Sequence, residues 1–322
     1  MKCVIIGWMC CKALKVLDRN MKIAFFTEMG FQGKIPRTHE NMRTEFAWMC
    51  ATDADHHPLG SDLSGAKYDL GIIIIPKKNV ENLMNQDHIG YLKLHCKKLA
   101  VMQEGPHWYF QDYSLDKQVW YYNMLVESDI VFAHNESDKL YYQGLTGHKD
   151  VRVMKSLMIE DAIGELKSVD RDGVIIGGNF VSWYGGFDSY IVAQEITEKV
   201  YAPSMGRKQD GEEQLLTHLP YMNWKDWIHK LNEFKIGVHL MRTHAAGTFA
   251  LNCAYLGIPC IGYKGLDTQE TCHPLTTIEI GDINHAKEII KKLNNNSDFY
   301  KTCSEWALKR YSNEYKEDRF KI

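Results

Sequence analysis

No apolar run in this sequence is long enough to cross a bilayer. The longest in the body of the chain, Gly71-Ile72-Ile73-Ile74-Ile75-Pro76, falls far short of the roughly 20 residues a membrane helix needs and reads as a buried strand. Cys-x-x-Cys pairs are missing too. The 9 cysteines, an odd number, fall mostly in apolar stretches (Cys50, Cys96, Cys253, Cys260), which argues against a disulfide framework or a zinc site and for buried free thiols in a reducing cytoplasm. Nor is there an excess of one charge. With 38 basic against 41 acidic residues the formal net charge is -3, so no global basic field draws the chain onto nucleic acid, although a local basic strip is compatible with this balance. No low-complexity tract or short solenoid repeat occurs, and Asn294-Asn295-Asn296 reads as a helix-ending loop.

What remains is a folded globular chain of 322 residues, 45% hydrophobic and 25% charged, enough for two domains with their own cores. Residues 1–20 carry an apolar patch, Val4 to Cys11, followed by Lys12 and Lys15 with no small-residue cleavage signature, which argues against a signal peptide. Because Met21-Lys22-Ile23-Ala24-Phe25-Phe26 restarts like a fresh N-terminus, residues 1–20 read as an upstream start or a short appended element.

From Met21 onward β-branched runs alternate with helical segments. Strands are expected at Lys22–Phe26, Tyr68–Ile75, Lys98–Met102 and Asp129–Ala133, and helices at Thr38–Cys50 and Asp112–Glu127. The middle strands are continuously apolar rather than alternating, as in a parallel sheet covered on both faces, so the layout is α/β and doubly wound. The polar stretch Leu157–Arg171 reads as a domain boundary. A second series follows, with strands at Gly173–Ile176, Val200–Ala202, Ile236–Leu240 and Pro259–Gly262 and helices at Asp188–Thr197, Trp224–Asn232 and Gly247–Leu256. The expected organisation is thus an extension (1–20), a first Rossmann-like domain (21–160), a second (161–298) and a C-terminal helix (299–322).

The run from His244 to Gly262 carries the most chemistry. Gly247-Thr248 opens a helix, Gly257 closes it in a left-handed cap, and Pro259 starts a buried strand, so a helix N-terminus with free N–H groups faces a cleft and suits a phosphate. Gln103-Glu104-Gly105-Pro106-His107-Trp108-Tyr109 follows a strand, at the end where open α/β sheets bind ligands. There Glu104 or His107 suits a base that takes a hydroxyl proton, and Trp108 and Tyr109 offer flat apolar surface; a tight Gly-Pro turn with core aromatics is an equal reading. Gly30 and Gly33 follow the opening strand and allow close backbone approach, or simply make a turn. Arg242, at a strand end beside His244, and Arg207-Lys208 suit a diphosphate leaving group. Asn135 reads as a helix N-cap. Asp53-Ala54-Asp55-His56-His57 imitates a metal string, but adjacent histidines in a strand point to opposite faces, so it reads as loop and short strand. No metal site is expected.

The segment 244–262 resembles the nucleotide-sugar region of GT-B glycosyltransferases, with its small-residue turn, helix and Gly-x-Pro strand start. Leu219-Pro220-Tyr221 is similar to that family's base-recognition turn, and Ile175-Ile176-Gly177-Gly178 to the first strand and glycine turn of its donor domain. His244 and Asn252 stand where the family commonly has two glutamates. The resemblance implies two Rossmann-like domains facing a cleft, with the C-terminal helix from about Phe299 to Phe320 crossing back. It implies a metal-independent transferase with no cofactor beyond its nucleotide-sugar co-substrate, a UDP-linked one. Donor contacts would then come from Gly30, Gly33, Gly177, Arg242, His244, Gly247, Thr248 and Asn252, and acceptor contacts from Trp108, Tyr109, Lys97 and Lys98. The run from Glu104 to Trp108 further resembles phage-encoded DNA-modifying glycosyltransferases of the T-even kind, which implies hydroxymethylated pyrimidine in DNA as acceptor and the host cytoplasm as location. Competing expectations are a saccharide or small-molecule acceptor, a nucleotide-sugar epimerase, and a non-catalytic nucleotide- or carbohydrate-binding protein. No membrane partner is expected.

Overall fold

A computed structural model describes residues 21–85, 87–147 and 150–322, so the reading of residues 1–20 lies outside the described residues. The chain builds two sheets. The first comprises β1 (Ile23–Thr27), β2 (Gly33–Lys34), β3 (Asp55–Pro58), β4 (Tyr68–Ile75), β5 (Cys96–Gln103), β6 (Ile130–Ala133) and β7 (Val151–Val153). Its order is β2-β3-β1-β4-β5-β6-β7, parallel except for the β2–β3 pair. The second comprises β8 (Val174–Ile176), β9 (Val200–Ala202), β10 (Leu216–His218), β11 (Ile236–His239), β12 (Cys260–Tyr263) and β13 (Thr277–Ile278). It is wholly parallel in the order β10-β9-β8-β11-β12-β13. This is the expected α/β fold of two Rossmann-like halves.

Both faces of each sheet are covered, which explains the uninterrupted apolar strands: Ile72, Ile73 and Ile75 of β4 are fully buried although successive side chains point to opposite faces. One apolar cluster is continuous between the halves, joining Phe25 and Trp48 of the first to Trp224, Ile228 and Ala254 of the second. Trp48 also donates its indole N–H to the Lys155 carbonyl at 2.9 Å, tying a first-half helix to the segment that leads into the second half.

The helix expected over Thr38–Cys50 is confined to Glu45–Ala51. Residues before it are drawn into contacts with the second half that no local pattern encodes. Asn41 accepts from the Trp224 N–H at 3.0 Å, the Thr44 N–H donates to Leu157 at 3.2 Å, and Arg43 bridges Met158. The C-terminal helix is Ser297–Glu314 rather than Phe299–Phe320, with Asn296 as its N-cap accepting from Phe299 at 2.9 Å. It packs on the second half through Ser304 and the Gly257 carbonyl, and the tail beyond it returns to the first half. There Glu317 pairs with Arg37, whose guanidinium also holds Asp161 at 2.9 Å. Asn135 caps the helix Glu136–Thr146, as its sequence position suggested.

Trp48 is the clearest point at which to test this packing. Trp48→Phe leaves the Lys155 carbonyl without its donor and is expected to cost about 0.5–1.5 kcal/mol, while Trp48→Ala adds a cavity and costs about 3–5 kcal/mol. Denaturant unfolding measures both, and an unchanged stability in Trp48→Phe would show that the hydrogen bond contributes nothing.

Candidate active site

Strand order reverses between β1 and β4 in the first sheet and between β8 and β11 in the second. At such switch points the loops leaving adjacent strands diverge and open a crevice at the strands' C-terminal ends. The two crevices face each other and merge into one cleft of about 620 Å³, a size that suits a small organic ligand. The first half lines it with Thr27–Met29 after β1, Lys77 after β4, Glu104 and Gly105 after β5, and His134 after β6. The second half adds Gly177 after β8, His239 and Met241 at the end of β11, and residues 245–249.

On the second-half wall, Gly247 has φ 67° and opens the helix Thr248–Leu256 with no side-chain cap, so the first N–H groups of that helix are free toward the cleft. A Cβ at Gly247 would collide with Thr268 Oγ1, which instead donates to the Gly247 carbonyl at 2.9 Å. The loop leading to it is pinned from the first half, where the Ser156 hydroxyl bonds the Ala246 carbonyl. His239 stands beside Phe249 at 5.3 Å, and both of its ring nitrogens are buried without a hydrogen-bond partner. Burial lowers its pKa to about 4, so the ring is neutral at pH 7. Gly177 is needed opposite it, because any Cβ there would overlap the imidazole. Tyr221, 85% exposed, projects at the rim.

The first-half wall is acidic. Glu104 is held by Lys77 Nζ at 3.0 Å, and neighbouring Glu28 has its pKa raised by burial and then by the charge of Glu104. His134 donates from Nε2 to the Gln103 carbonyl at 3.0 Å, and burial lowers its pKa. His107 lies outside the lining, with Nδ1 at 2.8 Å from the buried carboxylate of Asp138 and its ring 4.3 Å from Tyr141. Trp108 meets Trp183 of the other half at 6.1 Å, next to Tyr109, and Arg207 lies over Trp183 at 5.1 Å.

The structure therefore brings Glu104, Gly177, Gly247 and Thr248 together around one cleft and places several other sequence candidates elsewhere. Arg242 is turned outward to Asp188 at 3.1 Å, His244 packs on Gly265, and Asn252 is buried inside its helix. Gly30 and Gly33 border open space, past the lining residues Thr27–Met29. Lys97 and Lys98 sit at the start of β5, the far end of the sheet from the cleft, and Lys97 pairs with Asp69 at 2.6 Å. In residues 53–57, His56 bonds Thr27 and His57 bonds Tyr68 on opposite faces of β3. Glu28, Arg43 and His239 line the cleft without having stood out in the sequence; Glu28 and His239 are marked only by their position at strand ends, and Arg43, just before the helix Glu45–Ala51, carries no local signal.

No protein-family model and no curated protein sequence matches the chain. Solved structures share its fold. Anabaena Alr3699/HepE in complex with UDP-glucose superposes with a TM-score of 0.63 at 11% identity, covering 92% of this chain and 96% of that one. An alpha-glucosyltransferase in complex with UDP-glucose and DNA containing an abasic site gives 0.63 at 12% identity, with coverages of 92% and 96%. A mutant of S. aureus TarM in complex with Fondaparinux, alpha-GlcNAc-glycerol and UDP gives 0.58 at 11%, covering 77% of this chain and 53% of that one, so the chain spans about half the length of TarM. What they have in common with this chain is the GT-B arrangement of two Rossmann-like halves. Among the described residues no helix is long and apolar enough to cross a membrane.

At the seam beside the cleft, Asp267 accepts from the Glu136 N–H at 3.2 Å. Its pKa is pushed up to about 6, chiefly by burial. Between the ordinary carboxylate range and that value the native chain holds a proton that the unfolded chain has lost, so this group's contribution to stability falls as pH rises through the window. Asp267→Asn, which keeps an acceptor for the Glu136 N–H, is expected to raise the melting temperature at pH 7 by about 2–5 °C, with the gain narrowing steadily from pH 6 toward pH 4. Calorimetric melting of both forms across that range checks this; a pH-independent difference would contradict it.

Proposed function

We propose that the chain is a glycosyltransferase that moves a sugar from a UDP-linked donor to a hydroxyl acceptor within the cleft. The observation that carries this reading is the uncapped helix N-terminus at Gly247 facing a carboxylate-bearing wall across the cleft. Free N–H groups and the helix dipole stabilise the negative charge that builds on a departing diphosphate, without a metal ion. His239, neutral and unpartnered on either nitrogen, supplies a hydrogen bond to donor or leaving group from the floor. Exposed Tyr221 gives the donor base a flat surface. HepE and the alpha-glucosyltransferase, which match nearly full length, were solved with UDP-glucose, and this supports the same donor class here.

The acceptor side belongs to the first half. Glu104 stands at the end of β5 with Glu28 beside it, placed to orient the acceptor hydroxyl and receive its proton as the oxygen bonds the anomeric carbon and the bond to the diphosphate breaks. His107, oriented by Asp138, supports the adjoining turn. The Trp108–Trp183 contact with Arg207 next to the cleft suits stacking of an extruded base, and together with the neighbour solved on DNA it supports hydroxymethylated pyrimidine in DNA as acceptor. Buried free thiols at Cys96, Cys253, Cys260, Cys272 and Cys303 fit work in a reducing cytoplasm.

Two measurements test this reading. UDP is expected to bind in the presence of EDTA, and Gly247→Val, which forces a branched side chain into a left-handed turn beside Thr268, weakens that binding at least tenfold; a strict need for manganese or magnesium would remove the site from consideration. Radiolabel from UDP-sugars is expected to pass to hydroxymethylated but not plain DNA, and Glu104→Gln lowers turnover about 100-fold with donor affinity near normal. Transfer to a saccharide instead would replace the acceptor while leaving the enzyme class intact.

A further inference from the structure

We infer that Arg43, a residue of the first half, is the cation that neutralises the donor diphosphate, so that one bound donor is gripped from both sides of the cleft. The inference rests on the UDP-donor reading and adds to it the residue that carries the charge. Every residue the second half contributes to the lining is uncharged at neutral pH. The basic side chains nearby in that half are engaged elsewhere: Arg242 with Asp188, Lys208 with Glu213 at 3.2 Å, and Arg207 on the Trp183 ring. The helix end at Gly247 supplies only about half an elementary charge, well short of what a diphosphate carries.

The missing charge has to come from across the cleft. The first half lines it with Glu28, Glu45 and Glu104 against Arg43 and Lys77. Lys77 is spent on Glu104 at 3.0 Å, whereas Arg43 makes no ion pair among the described residues. An arginine with no ion pair, lining the same cleft as the bare helix N–H groups, suits an anion that arrives with the ligand, and its planar donors match phosphate oxygens. The backbone under it is fixed. Arg43 bridges Met158, its own N–H donates to Asn41 at 2.8 Å, and adjacent Thr44 is held at φ 49°, a region that costs a non-glycine residue energy and persists only where surrounding contacts impose it. Without Arg43 the lining would hold three carboxylates against one already paired lysine, and a diphosphate would meet net repulsion.

The test compares UDP with uridine, which shares the base and ribose but lacks the charge. Calorimetry on the full chain and its Arg43→Gln and Arg43→Lys variants is expected to show UDP affinity falling about 10- to 50-fold in Arg43→Gln, an intermediate loss in Arg43→Lys, and uridine affinity changing less than about twofold. The salt dependence of UDP binding also weakens in Arg43→Gln. Unchanged UDP affinity overturns the inference, and so does an equal loss for UDP and uridine, which would mean that Arg43 only shapes the cleft. Failure of the wild-type chain to bind UDP overturns the donor reading itself, a result distinguishable from both.

Discussion

Two parallel sheets that meet at their C-terminal edges bring together the least self-sufficient part of each. Strand ends and helix starts there leave backbone groups without partners, and those groups must be bonded across the junction or left facing a ligand. Both solutions are present. Along the seam, the Asn41 side chain accepts from the Trp224 N–H, the Ser156 hydroxyl donates to the Ala246 carbonyl, and Asp267 accepts from the Glu136 N–H. Where the seam stops, at Gly247, the N–H groups stay free and the cleft begins. The location of the cleft and the cohesion of the halves are therefore one constraint, because the contacts that hold the loop before Gly247 also fix its distance from the opposite wall.

The cleft is electrically divided. Its second-half wall carries partial charges only, those of helix N–H groups and of an imidazole that burial keeps neutral, while its first-half wall holds full charges of both signs. Backbone dipoles set in a rigid helix need no reorganisation when charge develops on a leaving group. Carboxylates are suited to an acceptor hydroxyl, but they oppose a diphosphate placed on the same side. Set on opposite walls, the two kinds of charge coexist within about 620 Å³.

Much of this architecture is legible in the sequence where the signal is local and long. β4 coincides with the expected Tyr68–Ile75 because the unbroken apolar or small run Leu70–Ile75 has no other economical reading. The turn at Gly247 and the cap at Asn135 are equally local, depending on one residue's backbone freedom or one side chain's reach. β7, β10 and β13, of two or three residues each, are too short for any periodicity to register. Residues 38–44 look helical but are claimed by contacts with residues far along the chain. For the same reason Arg43 reads in the sequence as one more solvated arginine, and His239 as a polar end to an apolar strand. Their surroundings are made by the meeting of two sheets. Conversely, Arg242 and Lys97 look suitable by charge and neighbourhood, yet a strand's direction decides which end faces a ligand, and a bend after β11 turns Arg242 away.

Among the described residues the chain passes between the halves near one place. The segment after β7 carries it across, and the C-terminal tail returns beside that segment, with the Tyr311 hydroxyl bonded to Glu160 and Arg37 holding both Asp161 and Glu317. Two crossings side by side tie the halves along one line, and the Arg37 pairs lace the returning tail to the segment that carried the chain over. The second half is thereby bound at both of its ends, where a single connection would leave it tethered at one. A substitution at Arg37, remote from the cleft, would untie the tail from the crossing segment and leave the first half's hold on the second to the contacts of the seam.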